Sequence, residues 1–282
     1  MMETEKQDIQ PREVGAGWLR PTLRRMQRLV RTRLEIALVP VAMIVLLFLW
    51  ATLARVGDYP TFLLPTPGQV WRRFLEVAAD GSLWYHTSIT LLEILGGLAL
   101  GLTAAMLLGY VLAKSPLIER FLSPYIVASQ SVPIVALAPL LIVWFGFGLT
   151  SKILICALTI FFPVLINTIV GLRSVEEDLI ELMQSLRATR WQVFRFLEVP
   201  AALPVFLGGL KVGVTLSVIG AVVGEFAQSD RGLGFLVNLA NRGLFDTPLM
   251  FVALFVLMTI ALGLYGLVSA VEALTLRWKR TD

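Results

Sequence analysis

Thr87-Ser-Ile-Thr-Leu-Leu-Glu-Ile-Leu-Gly-Gly-Leu-Ala-Leu-Gly-Leu-Thr-Ala-Ala-Met-Leu-Leu-Gly-Tyr-Val-Leu-Ala113 carries a single charge, Glu93. It exceeds the roughly 20 apolar residues that a helix needs to cross a hydrocarbon core. Its small residues Gly97, Gly101, Ala105 and Gly109 fall four apart, forming a ridge against which a second helix backbone can pack closely. Outward from it, comparable stretches occur at Ile36–Ala54, Tyr125–Phe145, Ile153–Val170, Leu203–Phe226 and Leu249–Ala270. A soluble core would place its apolar residues in interrupted stripes of period 3.6 or 2, not in such runs. The whole 282-residue chain is 57% hydrophobic and 16% charged, with a mean hydropathy of +0.78. The expectation is an all-α polytopic membrane protein with six transmembrane helices, and soluble-enzyme classes are disfavoured. Pro133 and Pro139 lie in the third run, which predicts a broken helix there.

The expected organisation is an N-terminal arm over 1–35, a six-helix domain over 36–272 and a tail over 273–282. About 35 polar, Arg-rich residues precede the first apolar run, too many for the n-region of a cleaved signal, so the first helix is expected to stay. Six spans put both termini on one side. With the termini inside, seventeen basic residues fall in inner segments and six outside, namely Arg55, Arg72, Arg73, Lys152, Arg231 and Arg242. The positive-inside rule then makes both termini cytoplasmic in the cytoplasmic membrane. The net charge of +4 flanks apolar runs, where it meets lipid headgroups, so no nucleic-acid partner is expected. The sole cysteine, Cys156, rules out an intrachain disulfide and a CxxC metal site. The outer loops are 55–86 and 227–248, the second carrying a short apolar stretch, Gly232–Ala240, read as an interfacial helix.

The inner loop Arg173–Pro200 is too regular for a solvated linker. Ser174-Val-Glu-Glu177 fits a capping box opening a helix with the apolar stripe Val175, Leu179, Leu182, Met183 and Leu186. Thr189-Arg-Trp-Gln192 opens a second helix, with Trp191, Phe194 and Leu197 at near-helical spacing. Either a separate partner covers these stripes, or the loop folds back on its own bundle or on the headgroups.

The run Glu181-Leu-Met-Gln-Ser-Leu-Arg-Ala-Thr-Arg-Trp-Gln-Val-Phe-Arg-Phe-Leu-Glu-Val-Pro200-Ala-Ala-Leu-Pro204 resembles the EAA loop of permease subunits of binding-protein-dependent ABC importers. Leu64-Pro-Thr-Pro-Gly68, Ser131-Val-Pro-Ile-Val-Ala-Leu-Ala-Pro139 and Trp144-Phe-Gly146 are similar to the nitrate, sulfonate and taurine branch. Phe161-Phe-Pro-Val-Leu-Ile-Asn-Thr168 and Glu181-Leu-Met183 look most like permeases for riboflavin or thiamine-pyrimidine precursors. The resemblance implies a type I importer permease fold, with its transmembrane module over 87–272 and a coupling loop over 173–200. It implies ABC ATPase subunits, a substrate-binding protein and a second permease copy as partners, with transport by alternating access. It also assigns ATPase coupling to Glu181, Leu182, Met183, Arg187, Ala188 and Trp191, with Glu181 pairing a basic residue of the ATPase. Leu182 and Met183 replace the motif's Ala-Ala pair, and Arg187 stands where glycine is usual. A glycine there fits a left-handed helix end, which costs an arginine about 1 kcal/mol or more, so strain or a different turn is implied. A charge-assisted contact of Arg187 with the ATPase would offset that cost.

No Gly-x-x-x-x-Gly-Lys-Ser/Thr occurs, and Gly146-Phe-Gly-Leu-Thr-Ser-Lys152 has the wrong spacing, so ATP is expected on a separate subunit, with no cofactor in this chain. The only histidine, His86, lies at the outer boundary and is expected to be solvated or interfacial; no catalytic site and no metal cluster appear. Charges inside spans usually pair or line a cavity. Glu93 and Glu225 are therefore candidates for either structural pairing or a translocation pathway, Trp144 for an outer gate and Asn167 for the pathway or an interhelical bond. Lys211 either snorkels to the headgroups or serves inside the bundle, and the sequence leaves both open. A second ridge, Gly209, Gly213, Gly220 and Gly224, predicts close packing of the fifth span. Two other classes stay open: an ion-gradient transporter working through Glu93 and Glu225, and a membrane anchor.

Overall fold

Helix α6 (Leu149–Arg173) is the central helix of residues 60–282, and its Ile155, Cys156, Ile160 and Leu165 are fully buried. Two long helices flank it, α3 (Ser82–Lys114) and α9 (Val199–Gln228), and these two contacts are the most extensive among the described residues. The glycine ridges are what permit them. A methyl on Gly97 would overlap the Cβ of Cys156, and one on Gly101 would stand 2.6 Å from Ile160 Cγ1 and 2.7 Å from the Ala157 carbonyl oxygen. From the other side, a methyl on Gly220 would stand 2.9 Å from the Cα of Cys156, and one on Gly209 2.6 Å from Asn167 Cβ. Without a hydrophobic drive between helices in lipid, this backbone-to-backbone approach supplies the van der Waals contact that holds a bundle together.

The computed structural model describes residues 38 and 40–277. The arm over 1–35, the start of the first apolar run and the end of the tail therefore lie outside the described residues. The chain divides into two units, residues 1–59 and 60–282. In the first, α1 (Pro40–Val56) is an apolar helix that ends at Gly57, whose N–H bonds the Leu53 carbonyl at 3.1 Å.

In the second unit, α2 (Pro67–Ala79) opens on a capping box between Thr66 and Gln69 with Pro67 in its first turn, and it buries Val70 and Val77. Arg73 of α2 pairs with Asp246 at 2.8 Å, and Asp246 also caps α11 (Thr247–Thr275) by accepting from the Leu249 N–H. The third apolar run is interrupted as its prolines predict. Helix α4 (Pro116–Gln130) and α5 (Ile134–Phe145) meet at a 94° bend across Ser131-Val-Pro133. Pro133 sits at the break because it restricts the residue before it to extended backbone. Pro139 does not break the chain, since α5 runs through it.

By length and composition, four helices among the described residues can cross a membrane: α3, α6, the continuous 190–227 helix ending in α9, and α11. The bent α4–α5 pair makes up to five. Lys152, placed on sequence in an outer segment, lies inside the first turn of α6 and is buried. The stretch read as an interfacial helix forms α10 (Leu233–Leu239), but Leu233, Leu236 and Val237 are buried in protein, against α9 and α11. Its glycine-rich start lets it sink between neighbours.

Gly97→Ala is expected to lower the thermal midpoint in detergent, because overpacking a tight helix contact costs roughly 1–3 kcal/mol. Gly208→Ala, whose added methyl meets nothing within 4 Å, is expected to leave it unmoved.

Candidate functional site

The 173–200 segment is an elbow of two short helices at one end of the bundle. Ser174 does not open the first of them. Its hydroxyl donates to the Gly171 carbonyl at 2.8 Å and finishes α6, so helix α7 (Glu177–Ser185) begins three residues later, with Glu176 at its N-cap and Glu177 and Asp178 in its first turn. Acidic residues there complement the helix dipole without a side-chain cap. The α7 terminus is a Schellman turn: the Arg187 N–H bonds the Gln184 carbonyl at 2.8 Å and the Ala188 N–H bonds the Met183 carbonyl at 3.0 Å. Arg187 takes φ +54°, so the arginine occupies the left-handed position usually filled by glycine. Of the two outcomes left open by the sequence, the strained turn is the one realised.

Thr189 then opens α8 (Arg190–Val193) with the expected capping box, accepting from the Gln192 N–H while the Thr189 N–H donates to Gln192 Oε1 at 2.7 Å. The helix widens into a π turn over Phe194–Glu198 and continues as α9. Pro200, which has no N–H to give the ladder, immediately follows that turn.

Both ends of the elbow are pinned by ion pairs that sequence reasoning missed. Arg173 pairs with Glu119 of α4 and also donates to the Leu112 carbonyl of α3. The buried Glu198 pairs with Lys114 at the end of α3. Only half of the signal was available: an acid directly before a span is costly unless it meets a base, whereas Lys114 at the inner boundary reads as an ordinary positive-inside residue. Between the pins the apolar stripe is bare: Leu182, Leu186 and Trp191 are 54%, 69% and 63% exposed. Glu181 is exposed beside Leu182, and Met183 and Ala188 are half-buried.

At the far end of the bundle the in-span charges are consumed pairwise. Glu93 of α3, fully buried, pairs with Lys152 of α6 at 3.0 Å, and Lys152 also donates to Ser229 at 2.6 Å. Glu225 of α9 accepts from the Thr90 hydroxyl at 2.6 Å and from the Gly234 N–H. Thr90 in turn accepts from the Leu233 N–H, and His86 Nδ1 accepts from the Gly232 N–H at 2.9 Å. Three side chains thus satisfy the otherwise orphaned amides that open α10. A methyl on Gly232 would overlap Glu225, which is why that approach requires glycine. His86 is half-buried and stacked on Phe235, so of the solvated and interfacial settings expected, the solvated one is not realised.

Lys211 does not snorkel; it pairs with Glu272 of α11 and lies 5.6 Å from the Tyr265 ring. Asn167 bonds within its own helix, to the Pro163 carbonyl at 2.8 Å, rather than across helices. Trp144, at the end of α5, is 68% exposed. Sequence brought forward both Glu93 and Glu225 but not Lys152, which was placed in an outer segment because it falls just before the apolar run Ile153–Val170.

The described residues thus form a glycine-packed bundle with helices long and apolar enough to cross a membrane, and an exposed elbow pinned at one end. Residues 97–277 match the family of binding-protein-dependent transport system inner membrane components. The chain belongs to that family: it is the transmembrane permease subunit of an ABC importer, not its ATPase. It is 48% identical to the riboflavin transport system permease protein RibX of Chloroflexus aurantiacus, over 92% of this chain and 95% of that one. The formylaminopyrimidine transport permease protein ThiX of Halalkalibacterium halodurans is 35% identical over 84% of this chain and 94% of its own length. Among solved structures, the MetNI methionine ABC transporter in inward-facing conformations has the same fold, with a TM-score of 0.57 and 19% identity over 69% of this chain and 94% of that one.

Lys152→Met is expected to cost about 3–5 kcal/mol by stranding a buried carboxylate, with most of it recovered in Lys152→Met/Glu93→Leu; thermal unfolding of both variants reads the difference. Arg187→Gly is expected to relieve about 1 kcal/mol and to slow hydrogen exchange across 186–188 about five-fold.

Proposed function

We propose that this permease imports riboflavin, or a related vitamin or pyrimidine precursor, delivered by a substrate-binding protein. The 48% identity to a riboflavin permease over nearly the whole of both chains carries that reading. The importer is built from two copies of this chain with two separate ABC ATPases, which bind the ATP. The first span completes six when the run before α1 is included, both termini face the cytoplasm, and 36–272 is the permease domain.

The elbow over 173–200 is the coupling site. Glu181 pairs with a basic residue of the ATPase, while Leu182, Met183, Ala188 and Trp191 fill an apolar groove on it. The exposure of Glu181, Leu182 and Trp191 supports this, since a bare stripe on a pinned, ordered elbow is what a docking partner would cover. ATP-driven closure of the ATPases displaces the elbow, and its two pins pass the displacement to α4 through Glu119 and to α3 through Lys114. The glycine-locked α3, α6 and α9 then move as one body, and the bend at Pro133 takes up the difference. Glu93 and Glu225, sealed in their pairs, serve as struts of that body, which favours structural roles over an ion-gradient pathway. Trp144 and Asn167 stand as gate and pathway residues.

Glu181→Arg is expected to abolish ATP-driven uptake in proteoliposomes while leaving the unfolding midpoint unchanged; undiminished uptake would remove the coupling assignment. Isothermal titration of the cognate binding protein should show tight binding of riboflavin and none of taurine. The reverse result would move this chain to the sulfonate and taurine side of the family.

A further inference from the structure

A cavity of about 570 Å³ lies behind the elbow, walled by α3, the end of α6, α8 and the start of α9. Its lining is almost wholly apolar and includes Met106, Leu107, Tyr110, Trp191 and Phe206, together with Arg190. Depth follows from helix rise: Met106 lies eight residues before Lys114, so the cavity reaches roughly 12 Å from the polar helix end into the apolar zone. It is open on its side, since Leu107 is 66% exposed.

Arg190 is the only charged residue in the lining. The nearby cations Lys114 and Arg173 are neutralised by Glu198 and Glu119, but among the described residues no carboxylate lies within ion-pair distance of Arg190. Tyr110 and Trp191, amphipathic rings suited to the headgroup level, flank it. An occupant must therefore be a long apolar body at bilayer depth with an anion at its polar end.

We propose that this cavity is a binding site for one anionic phospholipid, an acyl chain lying between α3 and α9 and the phosphate on the Arg190 guanidinium. The site is independent of the cargo. Because Arg190, Trp191 and Phe194 belong to the elbow, the bound lipid backs the wall that the coupling helices press against.

The test uses the complete importer in phosphatidylcholine liposomes doped with phosphatidylglycerol brominated on its acyl chains. The contribution of Trp191 to fluorescence is the difference between the wild type and Trp191→Phe. Brominated phosphatidylglycerol is expected to quench that contribution at about a five-fold lower mole fraction than brominated phosphatidylcholine, as one basic contact to an anionic lipid implies. Arg190→Gln should bring the ratio to about one, and Arg190→Lys should restore most of it. Native mass spectrometry of the wild-type importer should retain phosphatidylglycerol over phosphatidylcholine by a similar factor. Equal quenching by both lipids in the wild type, an unchanged preference in Arg190→Gln, or displacement of the quencher by riboflavin would each overturn the proposal, the last by making the cavity part of the cargo route.

Discussion

The close approach of α6 to α3 on one side and α9 on the other is the constraint on which the remaining structure rests. In lipid, apolar side chains gain little by meeting each other instead of acyl chains, so helices associate where backbones can come near enough for dense van der Waals contact. Gly97, Gly101 and Gly109 supply that on α3, and Gly209 and Gly220 supply it on α9. The three helices form a slab with an element at each end: the elbow where α6 leaves and α9 enters, and the α10 cap where α3 begins and α9 ends.

The charged side chains in this slab each find a partner in a neighbouring element, while Asn167, Thr159 and Thr168 bond back to their own helix. Glu93 meets Lys152, Glu225 meets Thr90 and the α10 amides, and Lys211 meets Glu272. The pairs therefore act as registration marks between helices. Buried pairs of this kind add little net stability, but losing one member is expensive, so they resist sliding more than they resist unfolding. At the elbow the same device works at the polar boundary, where Arg173–Glu119 and Lys114–Glu198 hold a surface element to the slab while its apolar stripe stays bare.

Much of this was legible from the chain alone because period and composition are local properties. The apolar runs, the glycine ridges, the break at Pro133 and the Thr189 cap all follow from residues a few positions apart, whereas the left-handed turn at Arg187 was one of two outcomes that the resemblance to the EAA loop left open. What escaped was whatever depended on distant partners. Lys152 was placed outside because it falls just before the apolar run that starts at Ile153, yet its fate was set by Glu93 across a helix interface. Ser174 had the spacing of a capping box, but the end of α6 claimed its hydroxyl first. Lys211 and Asn167 were ambiguous for the same reason, since one base or one amide in a span reads alike whether it faces lipid, a neighbour or its own backbone.

Cys156 sits where the three helices come closest, between Gly97 and Gly220, and is wholly buried. As the sole thiol in the chain, it is a silent one: maleimides and spin labels cannot reach sulfur there without prising the slab apart. Engineered cysteines at the elbow or the far cap would then report alone in an otherwise native background, so distance measurements through a transport cycle need no prior removal of the natural residue.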